Sequence, residues 1–218
     1  MNNRVKYPRT FHLPYSLTIT DDDKRLPSDD IFNGMTVVVT EKRDGENTTV
    51  YPDGFIHARS LDRCKHPWQT WMKKYVQSWC RDIPDGWRIC GENLYPCHSI
   101  SYKFNDESEF FQVFGVYDDN NICLDWNTVC DTCEIIGISH VPVIYIGKYE
   151  KETILGEFKK YQENQENEVE GFVVRNASSF SYDEFSKNVG KYVRANHVQT
   201  DEHWTKNWKP NEIVNKEK

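Results

Sequence analysis

The chain has 218 residues, of which 38% are hydrophobic, 14% aromatic and 28% charged, and its net charge is −7. This composition excludes a disordered segment and supports one sizeable core, but not two ordinary domains. No apolar run approaches membrane-spanning length, and the acidic balance excludes a generic nucleic-acid binder, leaving room for an enzyme that grips a polynucleotide through a local, salt-sensitive basic patch.

The polar start, residues 1–10, lacks the apolar core of a secretory signal. Seven irregularly spaced cysteines do not form a disulfide framework, and both features point to an intracellular protein. The segment Arg9-Thr10-Phe11-His12-Leu13-Pro14 carries no assignable motif. Residues 35–39, with three consecutive valines, read as a strand, and Asp44-Gly45 reads as a tight turn after it. Lys42 therefore projects from a rigid strand end into a loop. A lysine so placed becomes a covalent nucleophile when nearby cations or loss of water deprotonate it, and Arg43, Arg59 and Arg63 are candidate sources of that field.

Residues 48–60 read as a hairpin around Pro52-Asp53-Gly54. Pro67 opens a helix with Trp68, Trp71, Met72, Tyr75, Val76 and Trp79 on one face, a stripe that reads as core. A strand begins at Trp87 and ends in Gly91-Glu92-Asn93, and residues 110–118 form a long aromatic strand. Residues 126–136 read as a helix closed by Gly137. Its Cys130-Asp131-Thr132-Cys133 lacks the second ligand pair of a zinc site, so the thiols read as packing. Residues 141–146 read as a buried strand, and 152–161 as a helix with Ile154, Leu155, Phe158 and Tyr161 inward. Glu170-Gly171 then precedes the apolar strand 172–174, and Lys191-Tyr192-Val193-Arg194 closes the core. Strands outnumber helices and follow one another through hairpins, which gives an α+β domain of mainly antiparallel sheets flanked by helices.

Six segments stand in order along the chain: Thr40-Glu41-Lys42-Arg43-Asp44-Gly45-Glu46-Asn47, Ala58-Arg59-Ser60, Cys90-Gly91-Glu92-Asn93-Leu94, Phe110-Phe111-Gln112-Val113-Phe114, Glu170-Gly171-Phe172-Val173-Val174-Arg175 and Lys191-Tyr192-Val193-Arg194. The series resembles the motifs of the covalent nucleotidyltransferases, which include polynucleotide ligases and mRNA capping enzymes. Within them it looks most like an RNA ligase of the phage nick-sealing type, over roughly residues 35–194.

The resemblance implies a nucleotidyltransferase (ATP-grasp-like) core. It also implies a single catalytic domain over residues 1–218, with no additional oligonucleotide-binding-fold domain, acting as a monomer. The implied activity is ATP-dependent joining of RNA 3′-hydroxyl and 5′-phosphate ends through a lysyl-AMP and an adenylylated 5′ end, assisted by Mg2+ or Mn2+. Lys42 matches the nucleophile. Glu41 and Asn47 match nucleotide contacts, Arg59 the contact to the ribose–phosphate region and Glu92 the acceptor for the ribose hydroxyls. Phe114 matches the aromatic stacked on the purine, with Phe111 the competing choice, and Glu170 matches the support of the metal. Lys191 and Arg194 match the cationic pair that neutralises the α-phosphate, although the family spacing is lysine, one residue, lysine. Here two residues intervene, and on a strand positions i and i+3 face opposite ways. DNA ligases and guanylyltransferases share this core, and a catalytically dead core would be a nucleotide- or RNA-binding module. The tail from His197 to Trp204 reads as substrate-facing or packing.

Overall fold

Two β-sheets face each other across a cleft that holds Lys42, and helices cover their outer faces. The computed structural model describes residues 4–19, 23–61, 66–195 and 208–214. Arg63 and the segment from His197 to Trp204 lie outside these residues.

The strands are, in chain order, β1 (Phe11–His12), β2 (Thr36–Lys42), β3 (Glu46–Val50), β4 (Ile56–His57), β5 (Arg88–Asn93), β6 (Lys103–Phe104), β7 (Phe111–Tyr117), β8 (Ile122–Cys123), β9 (Ser139–His140), β10 (Val143–Lys148), β11 (Gly171–Asn176), β12 (Phe180–Ser181), β13 (Val189–Val193) and β14 (Glu212–Ile213). The helices are α1 (Pro67–Val76), α2 (Trp126–Ile136), α3 (Lys151–Glu163) and the single turn α4 (Phe185–Asn188). The first sheet runs β1-β13-β11-β2-β10, antiparallel except for the parallel pair β1 and β13. The second runs β12-β8-β7-β5-β3-β4, with β9 added parallel to β7. This is the mainly antiparallel α+β architecture that the sequence predicts.

Alternation along β2 explains the layering. Val37 and Val39 turn outward to pack with Ile154 and Phe158 of α3 and Phe172 of β11. Val38 turns inward, where it joins the core of the second sheet, and Thr40 and Lys42 continue that inner face. The outer face of the second sheet is covered by Met72 and Val76 of α1 and by Val129 and Cys133 of α2. Each large apolar side chain fully withdrawn from water in these layers contributes about 1.5–3 kcal/mol. Local signals set the helix ends. Pro67 is the first helical residue of α1, and Gln69 Oε1 accepts from the His66 N–H at 2.9 Å. Asp125 caps α2 by accepting from the Thr128 N–H at 3.1 Å, and Gly137 ends it with a φ of 75°, a left-handed conformation open to glycine.

One strand differs from its expected environment. β10 is the edge of the first sheet rather than a buried strand, and Ile146 is 56% exposed. Its half-buried side chains divide between the two cores, Val143 toward the second sheet and Ile144 and Tyr145 toward α3. Of the C-x-x-C pair, Cys133 is buried in the core and Cys130 is half-buried against it; among the described residues no three His, Cys, Asp or Glu side chains group to hold a metal. Among the same residues, no helix is long and apolar enough to cross a membrane.

Candidate active-site cleft

The cleft is lined by matching rows from the two sheets. From the first come Thr40, Val173 and Lys191, which are register partners across β2, β11 and β13 and so point the same way. From the second come Asn47 and Glu92, register partners across β3 and β5, with Phe114 of β7 beyond them.

Lys42 ends β2 on the inner face. Its Nζ donates to Glu170 Oε2 at 2.5 Å, and Glu170 is 1% exposed. The pairing follows from register: Gly171 is the cross-strand partner of Lys42, which sets Glu170 at the strand end beside it. Gly171 permits this approach of strands, because a Cβ there would lie 1.9 Å from the Tyr192 carbonyl oxygen. Burial works to lower the lysine pKa, yet the charges of Glu170 and Glu92 outweigh it and hold the amine above its ordinary value. The expected positive field is not what surrounds this lysine. Arg43 turns aside to Glu41 Oε1 at 2.8 Å and Gln112 Oε1 at 2.9 Å, and its guanidinium sits over the Tyr102 ring.

Glu92 Oε1 accepts from the Gly45 N–H at 3.1 Å, and Gly45 has no room for a side chain, since a Cβ would lie 2.6 Å from the Asn93 carbonyl. Removal from water pushes the Glu92 carboxyl up to about 8, with Lys42 pulling it down and Glu170 and Asp44 adding to the rise. Asp44 itself fixes the neighbouring loop, its Oδ2 accepting from the Ser99 N–H at 2.9 Å and the Ile100 N–H at 2.8 Å. Asn47 is the clearest mark of a ligand site: its buried Oδ1 has no hydrogen-bond partner among the described residues.

Phe114 lines the cleft, whereas Phe111 is fully buried, stacked on Trp79. A bulge separates them. Cys90 pairs with Gly115 and Gly91 with Val113, which leaves Phe114 as the extra residue, turned to the inner face. The Tyr7 ring meets it edge-on at 4.9 Å. Arg59 is exposed and also lines the cleft.

Two predicted contacts sit elsewhere. Glu41 borders the cleft, but its side chain is held on the outer face of β2, where Oε2 accepts from Tyr161 Oη of α3 at 2.6 Å. Arg194 follows β13, whose pairing with β11 is regular from Val189 to Val193. Its Nε donates to the Val169 carbonyl at 3.0 Å and its guanidinium pairs with Glu168, while Lys191 faces the cleft. Burial lowers the Lys191 pKa, and Asp23, which accepts from its Nζ at 2.9 Å, opposes that.

The structure adds residues that sequence reading passed over. Arg175 is buried at the cleft floor, donating to the Phe114 carbonyl at 3.2 Å and the Leu124 carbonyl at 2.6 Å. A charged residue closing an apolar strand was its signal. Tyr7 and Asp23 come from the N-terminal segment, where no local pattern announces them.

The model of the RNA ligase family matches residues 35–193. Among solved structures, an archaeal ATP-dependent RNA ligase superposes with a TM-score of 0.55 at 18% identity, covering 86% of this chain and 48% of that one. A Naegleria gruberi RNA ligase mutant with ATP and Mn superposes with a TM-score of 0.52 at 16% identity, covering 88% of this chain and 61% of that one. These likenesses show the fold, and the chain spans about half the length of the archaeal ligase. No curated protein matches the chain.

Proposed function

The chain belongs to the RNA ligase family, and from that premise we propose that it is an ATP-dependent RNA ligase, joining 3′-hydroxyl and 5′-phosphate RNA ends through a covalent Lys42–AMP. The observation that carries this reading is the convergence of Lys42, Glu170, Glu92, Asn47 and Lys191, drawn from five strands or strand ends, on one cleft. Adenylylation is an in-line displacement: the Lys42 amine forms a bond to the α-phosphorus as pyrophosphate leaves. It needs a positioned nucleophile and cations around the phosphate.

Glu170 Oε2 holds the lysine as an ammonium in the ATP-free protein, and the ammonium must lose one proton, to Glu170 or to solvent, before attack. The residues fit a divalent ion brought in with ATP, because Glu170 is a buried carboxylate joined to the cleft through Lys42, and Asn47, which lines the cleft, has an Oδ1 with no partner among the described residues. Such an ion supplies charge neutralisation on the phosphates. Lys191 adds a fixed cation, Glu92 accepts from the ribose hydroxyls, and Phe114 packs against the base. Arg59 lies on the path of the ribose–phosphate at the mouth.

The test is incubation of the protein with α-labelled ATP or GTP and magnesium. Acid-stable label from ATP alone supports the ligase. Label from GTP alone indicates a capping-type guanylyltransferase, and no label indicates a binding module.

A further inference from the structure

The residues before position 35 lie outside the family match, yet they grip the strand that carries Lys191. β1 runs parallel to β13 with His12 opposite Lys191, and the Leu13 N–H donates to the Lys191 carbonyl at 2.7 Å. On its other side His12 exchanges backbone hydrogen bonds with the next turn of chain: its N–H donates to the Lys24 carbonyl and its carbonyl accepts from the Leu26 N–H, both at 2.7 Å. Three lengths of chain thus lie side by side, which brings Asp23, His12 and Lys191 together.

The side chains follow one another in a series of contacts. Ser16 Oγ accepts from the Val193 N–H at 2.9 Å and lies in hydrogen-bond contact with His12 Nδ1 at 2.8 Å. His12 Nε2 lies 3.1 Å from Asp23 Oδ2, in contact but without the alignment of a hydrogen bond, and Asp23 Oδ1 accepts from Lys191 Nζ at 2.9 Å. His12 is 1% exposed, enclosed by the chain on both sides. Burial and the nearby Lys191 charge both lower its pKa, which keeps the ring neutral.

We propose that Asp23, braced by His12, is a positioning residue for adenylylation: it fixes the Lys191 ammonium at the cleft wall, so that the phosphate meets a cation already in place. This rests on the reading of Lys191 as the phosphate-neutralising residue. A lysine side chain has many rotamers, and tying its head group down beforehand removes that entropy loss from the transition state. The carboxylate has an opposite effect on binding, since it repels an incoming triphosphate. Replacing Asp23 by asparagine therefore lowers the rate at saturating ATP without raising KM, a split that general damage to the site does not produce.

The experiment is single-turnover adenylylation over an ATP titration with wild type, D23N, D23E, K191A and the D23N/K191A double variant. D23N is expected to be roughly ten- to a hundredfold slower at saturating ATP, as for loss of alignment at a reacting centre, with KM no higher. D23E is expected to regain part of the rate, and D23N to add nothing in the K191A background. A slow K191A beside a D23N enzyme at the wild-type rate overturns this proposal alone. So do losses that multiply in the double variant, or a raised KM with the rate intact. K191A at the wild-type rate overturns the Lys191 reading, and this proposal with it.

Discussion

Lys42 Nζ and Glu170 Oε2 lie 2.5 Å apart, and each answers the other's burial. An unpaired carboxylate as enclosed as Glu170 would carry a penalty of several kcal/mol, and the lysine ammonium offsets it. The consequence is a nucleophile stored in its protonated form. Free amine forms only when the ammonium loses its proton, and that loss becomes easier once Glu170 finds another partner, which couples activation of Lys42 to occupancy of the cleft.

Lys42→Ala should remove all covalent label from ATP and all ligation of 5′-phosphorylated RNA. It should keep some sealing of pre-adenylylated RNA, where the covalent step is already made. Gel assay of both substrates with one preparation checks this, and covalent labelling of the variant would reassign the nucleophile. Loss of sealing on both substrates would mean that Lys42 also serves the final step.

Glu92 makes a prediction about pH. Its folded-state pKa is about 8, raised from an ordinary 4.5 mainly by burial. A carboxyl with a raised folded pKa contributes stability that is fully present below its unfolded pKa and lost as pH rises through the folded one. The protein should therefore lose stability between pH of about 4.5 and about 8. Glu92→Gln, which is neutral throughout, should flatten that fall while impairing ATP use. Melting temperatures of both proteins across the window decide it; parallel curves would show that Glu92 is ionised at no unusual cost.

Gly171 tests the strand packing beneath the lysine. Ala at this position would drive a methyl group to 1.9 Å from the Tyr192 carbonyl oxygen, a backbone atom that cannot turn aside. Gly171→Ala should destabilise by about 1–3 kcal/mol, the scale of overpacking, and should slow adenylylation by displacing Glu170. Urea unfolding of the variant at wild-type stability would mean that β11 and β13 separate easily.

Much of this cleft was legible in the sequence, for reasons particular to each element. The valines of β2 and the turn at Asp44-Gly45 are local signals, and they place Lys42 without tertiary information. The helix ends at Pro67 and Gly137 are equally local. The placing of Phe114 over Phe111 needed the bulge opposite Cys90 and Gly91, which no residue pattern states. The N-terminal contribution was invisible because Asp23 reaches Lys191 across a sequence separation of 168 residues, through a parallel pairing of two-residue β1 with β13. The field around Lys42 was misjudged for a similar reason. Arg43 is adjacent in sequence, but the side chain after a strand end turns back to Glu41 and Gln112, while the carboxylates that matter come from β5 and the approach to β11.

The last prediction separates the two cations of the final motif. β13 pairs with β11 without a bulge from Val189 to Val193, so Lys191 and a residue three positions on cannot share a face. Lys191 lines the cleft, whereas Arg194 is held beyond the strand by the Val169 carbonyl and Glu168. A fixed donor beside charge that develops on a phosphate is worth roughly a hundred- to a thousandfold in rate. Lys191→Ala should show a loss of that order in pyrophosphate release during a single turnover. Arg194→Ala should stay within about threefold of wild type, because it breaks a half-exposed ion pair whose contribution is about 0–1 kcal/mol. Equal large losses in both variants would mean that the strand end rearranges when ATP binds and carries Arg194 inward. Near-wild-type rates in both would move the phosphate cation to another residue of the cleft, with Arg175 and Arg59 the next to be replaced.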